Sequence, residues 1–341
     1  MDGREDDQKD DILPERAEAP TSVPAELELS PFEQGAEKAA GKLGGRIGHC
    51  GRSAFHHLRR AWRLLGVDDE MAAFRAITAE EEAATAVILA LKQRQYPGAN
   101  HLNQRNHAHK AALVPFTAAV QNVLAISKWR GDLVLSPESD PPRVNFRIDA
   151  RCMGVEGDEP LFVEPDEPLN MVVRSVGEDG VLEVHDFEAQ LREVARGSDL
   201  TAIRRFVEDE ANFRNRLLYA SDDGVPKVTL EAAFLRERLR RVVQLLLVAV
   251  AVLQTPRVQP FAAQCLRALL RVLPRLNAPE PEFDYDTAAP PVLDSGLLVE
   301  QDGDGRPRAM LRRRWSVNIP FGYRLLPVIH LDLNVALSGG R

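Results

Sequence analysis

The chain has 341 residues, with 43 lysines and arginines against 51 aspartates and glutamates, a formal charge of −8. Apolar residues make up 44% and charged residues 28%, the balance of an ordinary globular protein rather than a collagen-like, disulfide-framed or wholly disordered one. The length suits two domains of about 100–200 residues, or one large one.

Residues 1–30 hold ten acids and three bases with Pro14, Pro20 and Pro24, and are expected to form a disordered acidic arm. Met1 to Asp11 has no apolar stretch, so it does not read as a signal peptide. The remaining charge is polarised along the chain. Residues 31–129 carry +5, residues 130–186 carry −9 and residues 187–276 carry +5.

A helical domain is expected over 31–129. Ser30-Pro31-Phe32-Glu33 has the signature of a capping box, opening a helix that runs to about Lys42. The glycine-rich stretch Gly41 to Gly51 then reads as a flexible hinge, with Ser53 capping a second helix through Phe55, Leu58, Trp62 and Leu65. Asp68 opens a third helix to Ile77. Thr78-Ala79-Glu80-Glu81 looks like a second capping box and the start of a fourth. A further helix starts near Asn103 and reaches toward Lys128, with a kink or restart at Pro115.

From Gly131 the pattern changes to strands, clearest where Val144, Phe146 and Ile148 alternate with polar residues. Strands are expected within 131–186, helices within 187–276 and strands again within 293–337. The fold class is therefore α+β. An N-terminal helical domain precedes a mixed domain, 130–341, in which two β-rich segments flank a helical block. Whether those two segments join in one sheet is left open by sequence. The helix around Val242 to Leu253 is the most apolar segment. It is too short and too interrupted to span a bilayer, and should be central to the second core.

Two basic runs contain no acid. One is Lys42 to Arg63, with His49, His56 and His57, and the other is Arg306 to Arg324, interleaved with Trp315, Phe321 and Tyr323. Such runs can track a phosphate backbone. The candidate contacts are Arg59, Arg60, Arg63, Arg312, Arg313 and Arg314, with Trp315 stacking on a base.

No cofactor fingerprint is present. The loop from Gly45 to Ser53 lacks the spacing and lysine of a phosphate loop. His107 and His109 diverge by about 200° on a helix, so no metal site is expected from them. Cys50, beside His49 and Arg52, has surroundings that could lower a thiol pKa. With only Cys50, Cys152 and Cys265, neither a disulfide framework nor a thiolate zinc site is expected, and a cytoplasmic setting fits. Arginine outnumbers lysine 36 to 7, which suggests a GC-rich bacterial source.

Over Ala72 to Phe116, the acidic helix Ala79-Glu80-Glu81-Glu82-Ala83-Ala84-Thr85 is followed by a turn and then His107-Ala108-His109-Lys110. This resembles the helical domains of the HEPN superfamily, particularly the AbiV type. The resemblance implies a metal-independent ribonuclease in phage defence, with an Arg and a His separated by four to six residues. Of the pairs at that spacing, only Arg52/His57 stands at a helix start, with Arg52 as phosphate anchor and His57 as general acid and base. The residues themselves point instead to a non-enzymatic module that binds nucleic acid or a protein partner, with no cofactor and no membrane.

Overall fold

The computed structural model describes residues 26–126, 131–149, 161–176, 182–196, 199–219, 224, 227–273, 293–294, 299–301, 307–309, 315–318 and 323–327. The protein is α+β, with a helical N-terminal part. The expected disordered arm lies outside the described residues up to residue 25. Its last residues lie against the fold: Leu27 and Leu29 pack on the core, and Arg236 donates to the Glu28 carbonyl at 2.6 Å.

Helix α1 (Pro31–Lys42) starts with the predicted reciprocal cap. The Ser30 hydroxyl accepts from the Glu33 N–H at 3.3 Å, and the Glu33 carboxylate accepts from the Ser30 N–H at 2.7 Å. Helix α2 (Gly45–Leu64) corrects the hinge reading, because Gly48 and Gly51 lie inside it. They are close-contact positions. A Cβ on Gly48 would stand 1.9 Å from the Leu43 carbonyl oxygen, and one on Gly51 would stand 3.0 Å from Ala40 Cβ. Two glycines let α2 fold back tightly onto the end of α1.

Helix α3 (Asp69–Gln93) is likewise continuous through the predicted second cap. Asp68 caps it by accepting from the Met71 N–H at 3.0 Å. The Thr78 hydroxyl donates to the Phe74 carbonyl within the helix, and Glu81, three residues on, bonds Lys110 and His107 instead, so Thr78 starts nothing. A 3-10 turn, Ala99–His101, leads to α4 (His107–Ile126), which carries Pro115 in its interior.

Strands β1 (Gly131–Ser136), β2 (Arg143–Asp149), β3 (Leu161–Pro165), β4 (Val172–Val176) and β5 (Leu182–Val184) follow. Next comes the helical block α5 (Glu188–Ala195), α6 (Leu200–Leu218), α7 (Ala232–Leu253) and α8 (Pro260–Val272). The last strands are β6 (Leu293–Asp294), β7 (Val299–Gln301), β8 (Pro307–Ala309), β9 (Trp315–Asn318) and β10 (Tyr323–Pro327).

The two strand regions join. One four-stranded sheet has the order β1-β2-β3-β10 and another the order β5-β4-β9-β6, with every pairing antiparallel. β7 and β8 form a separate two-stranded ribbon. The helical block is thus inserted between strands that pair with each other. The last part of the expected strand region, 328–337, lies outside the described residues.

One hydrophobic cluster runs across the predicted boundary at residue 129. It contains Ala36, Phe55, Ile88 and Leu102 from the N-terminal helices together with Leu239, Leu246, Phe261 and Leu269 from α7 and α8. The apolar helix α7 therefore belongs to the same core as α3. Gln259, ahead of α8, ties three segments together. Its N–H donates to the Tyr96 hydroxyl (3.1 Å), its amide oxygen accepts from the Leu169 N–H (2.7 Å), and its amide nitrogen donates to the Ala251 carbonyl (2.8 Å). Among the described residues no helix is long and apolar enough to cross a membrane.

Candidate nucleic-acid interface

Helix α2 has two opposed faces. Ile47, Cys50, Ala54, Phe55, Leu58, Ala61 and Trp62 are buried. At the complementary three- and four-residue spacing stand Arg46, His49, Arg52, His56, Arg60 and Arg63, all exposed. The 20-residue helix contains no acidic residue. From Arg46 to Arg63 this basic face extends about 25 Å at 1.5 Å per residue.

No carboxylate among the described residues forms an ion pair with any of these six. Arg52 donates to the Gly41 carbonyl (2.7 Å) and lies 2.8 Å from His49 Nδ1, which fixes the first turns of the helix against the end of α1. Arg46, Arg60 and Arg63 extend the positive face on either side.

Sequence-predicted residues fall into three groups. Arg60 and Arg63 lie on the exposed face. Arg59 instead turns toward α1, where Glu37 takes both guanidinium nitrogens at 2.6 and 2.7 Å and neutralises it. Arg312, Arg313 and Arg314 lie outside the described residues, and Trp315 is described only as the first residue of β9. Charge counting finds Arg60 and Arg63. It does not find Arg46, His49 and Arg52 as parts of one face with them, because that register exists only if the glycine-rich stretch is helical.

Arg52 and His57 are both on α2, but they serve different surroundings. Five residues of helix separate them by about 140°. Arg52 reaches the end of α1, whereas His57 is half-buried against α3, its Nδ1 3.3 Å from Arg75 Nη1. The His57 imidazole is held down at about 4, first by burial and then by the charges of Arg75, His56, Arg60 and Arg214. It is a neutral ring among cations.

Cys50 is not an activated thiol. It is buried in α2, and its pKa is pushed up to about 12 by burial and by Glu82. That reverses the expectation from its neighbours in sequence. Among the described residues no group of three or more His, Cys, Asp and Glu is placed to hold a metal ion.

Behind the basic face lies a buried ion network. Glu80 on α3 accepts from Arg238 on α7, and its other oxygen lies 3.5 Å from Arg241. Burial raises the Glu80 pKa despite both arginines. Next to it, Glu81 accepts from Lys110 and His107, each at 2.7 Å, and stands 3.7 Å from Arg214. A cavity of about 30 Å³ separates Glu80 and Glu81 from Glu210 on α6. Glu80 and Glu81 each have opposite charges beside them, so the network holds α3, α4, α6 and α7 together. Among the described residues, the positive face of α2 has none of that compensation.

No protein-family model, curated protein or solved structure matches this chain.

Proposed function

We propose that the protein is a non-catalytic module that binds nucleic acid by laying the exposed face of α2 along a phosphate backbone. The observation that carries this reading is the row Arg46, His49, Arg52, His56, Arg60 and Arg63, exposed on one side of a helix with no acidic residue. Four arginines without carboxylate partners supply permanent charge, and arginine suits phosphate because its planar fork donates two parallel hydrogen bonds. The second basic run, Arg312 to Arg314 with Trp315, would add contacts of the same kind. A protein partner with an acidic surface is the alternative occupant of the same face.

Binding is preferred over the ribonuclease chemistry implied by the HEPN resemblance. That chemistry needs Arg52 and His57 at one phosphate. Here one lies against the end of α1 and the other against α3, with the imidazole neutral and enclosed by cations.

The test is fluorescence anisotropy with a labelled single-stranded oligonucleotide. Four phosphate contacts give a slope of about −2.8 in log K against log salt, or roughly a 50-fold loss of affinity between 50 and 200 mM. The triple variant Arg46→Gln/Arg60→Gln/Arg63→Gln should lower that slope by about 2. Salt-insensitive binding, or a triple variant that binds like the parent, overturns the proposal.

A further inference from the structure

Among the described residues no carboxylate pairs with Arg75 on α3, a half-buried arginine near this face. Four arginines on the packed elements are matched: Arg59 to Glu37, Arg214 to Glu81, Arg238 to Glu80 and Arg241 to Glu237. Arg75 meets the His57 ring at 3.3 Å, and its Nε is buried without a hydrogen-bond partner among the described residues. The carboxylates one to two turns earlier are already committed to backbone N–H groups. Asp68 caps α3, Asp69 accepts from Gly66 and Leu230, and Glu70 accepts from Val228.

Further basic side chains converge on the same spot. His56 stacks edge-on to His57 with ring centroids 6.1 Å apart, and exposed Arg60 follows one turn later on α2. Arg214 approaches from α6, its guanidinium 4.7 Å above the ring of Phe74, the residue before Arg75. Their combined field reaches His57, helping to hold it neutral. Holding like charges together around a partly buried guanidinium is unfavourable unless an anion completes the group.

We infer that Arg75, His57 and Arg60, where α2 crosses α3, form a binding site for a phosphomonoester, either free phosphate or the terminal phosphate of a nucleic-acid strand. A diester in mid-strand carries one charge, whereas a monoester carries nearly two and offers three terminal oxygens to a compact cluster of donors. The terminal-phosphate arm rests on the nucleic-acid reading above. The free-phosphate arm stands without it.

The experiment uses the full chain and two probes. Inorganic phosphate is titrated calorimetrically, and two labelled oligonucleotides of one sequence, with 5′-phosphate or 5′-hydroxyl ends, are compared by anisotropy. Saturable phosphate binding is expected, together with about a tenfold preference for the phosphorylated end. Arg75→Gln should abolish both while leaving salt-dependent binding of the 5′-hydroxyl strand intact, and Arg75→Lys should restore part of the phosphate affinity. Thermal melting confirms that the variants are folded. Phosphate binding without an end preference assigns the site to free phosphate. No phosphate binding and equal affinity for the two ends overturns the inference, even if the α2 face still binds nucleic acid. Loss of all oligonucleotide binding, with phosphate binding retained and dependent on Arg75, overturns only the nucleic-acid reading.

Discussion

The side-chain amide of Gln264 closes both backbone groups of Val173. Its oxygen accepts from the Val173 N–H at 3.0 Å, and its nitrogen donates to the Val173 carbonyl at 2.7 Å. The same nitrogen reaches the His185 carbonyl at 2.8 Å. A polar side chain on α8, almost wholly buried, thus fixes the helix against β4 and the chain beyond β5.

Gln264→Leu keeps the volume near that of glutamine but strands the Val173 N–H and the His185 carbonyl in the core. Each unmatched buried group costs about 1–3 kcal/mol, so a loss of about 2–6 kcal/mol is expected. Urea denaturation should show the midpoint falling with little change in slope.

Gly48→Ala sets helix propensity against sterics. In an exposed helix interior alanine would be better than glycine by about 1 kcal/mol. At Gly48 the new methyl meets the Leu43 carbonyl at 1.9 Å, backbone that cannot simply swing away. The variant should therefore be less stable, with a lower thermal midpoint. Gly41→Ala, inside α1, where a Cβ meets only Arg52 Cγ at 4.0 Å, serves as the control.

Arg238→Leu leaves Glu80 buried beside only the more distant Arg241. Breaking a buried pair from one side typically costs about 3–5 kcal/mol. Adding Glu80→Leu removes the stranded carboxylate, so the double variant should recover most of the loss. Chemical denaturation of the parent, both single variants and the double variant forms a complete cycle.

His57 makes stability depend on pH in a defined direction. Its folded pKa is about 4, below the usual imidazole value near 6.5. Between those values the unfolded chain binds a proton that the folded chain refuses. The contribution is therefore complete above the ordinary imidazole pKa and is lost as pH falls through the folded value. Urea midpoints should drop more from pH 7 to pH 5 in the parent than in His57→Gln. His109, lowered chiefly by burial, contributes in the same direction in both proteins and cancels in that comparison.

What the sequence reveals is mainly local. The Ser30/Glu33 cap is a reciprocal contact between residues three apart, and the chain carries all of its information there. The glycines of α2 mislead because their reason lies in the touching backbone of Leu43 and Ala40. Thr78 and Glu81 mimic a cap for a similar reason. Glu81 is claimed by Lys110 and His107 on α4, and no local pattern announces those partners. The candidate site divides the same way. Arg60 and Arg63 follow from charge alone, while Arg75 is ordinary in sequence and distinctive because no carboxylate among the described residues pairs with it.

The pairing of β3 with β10 and of β4 with β9 also sets an order of events on the ribosome. Val163 finds Leu325, and Val173 finds Val317, only after the intervening helices have been made. The N-terminal helices can collapse early, since α1, α2 and α3 are near neighbours along the chain. Both four-stranded sheets must wait for residues 315–327 to emerge. During synthesis β3 and β4 each present an unpaired edge, the state in which strands most readily capture a wrong partner. Slowing or halting translation just before residue 315 should thus produce a nascent chain with a formed helical core and two incomplete sheets.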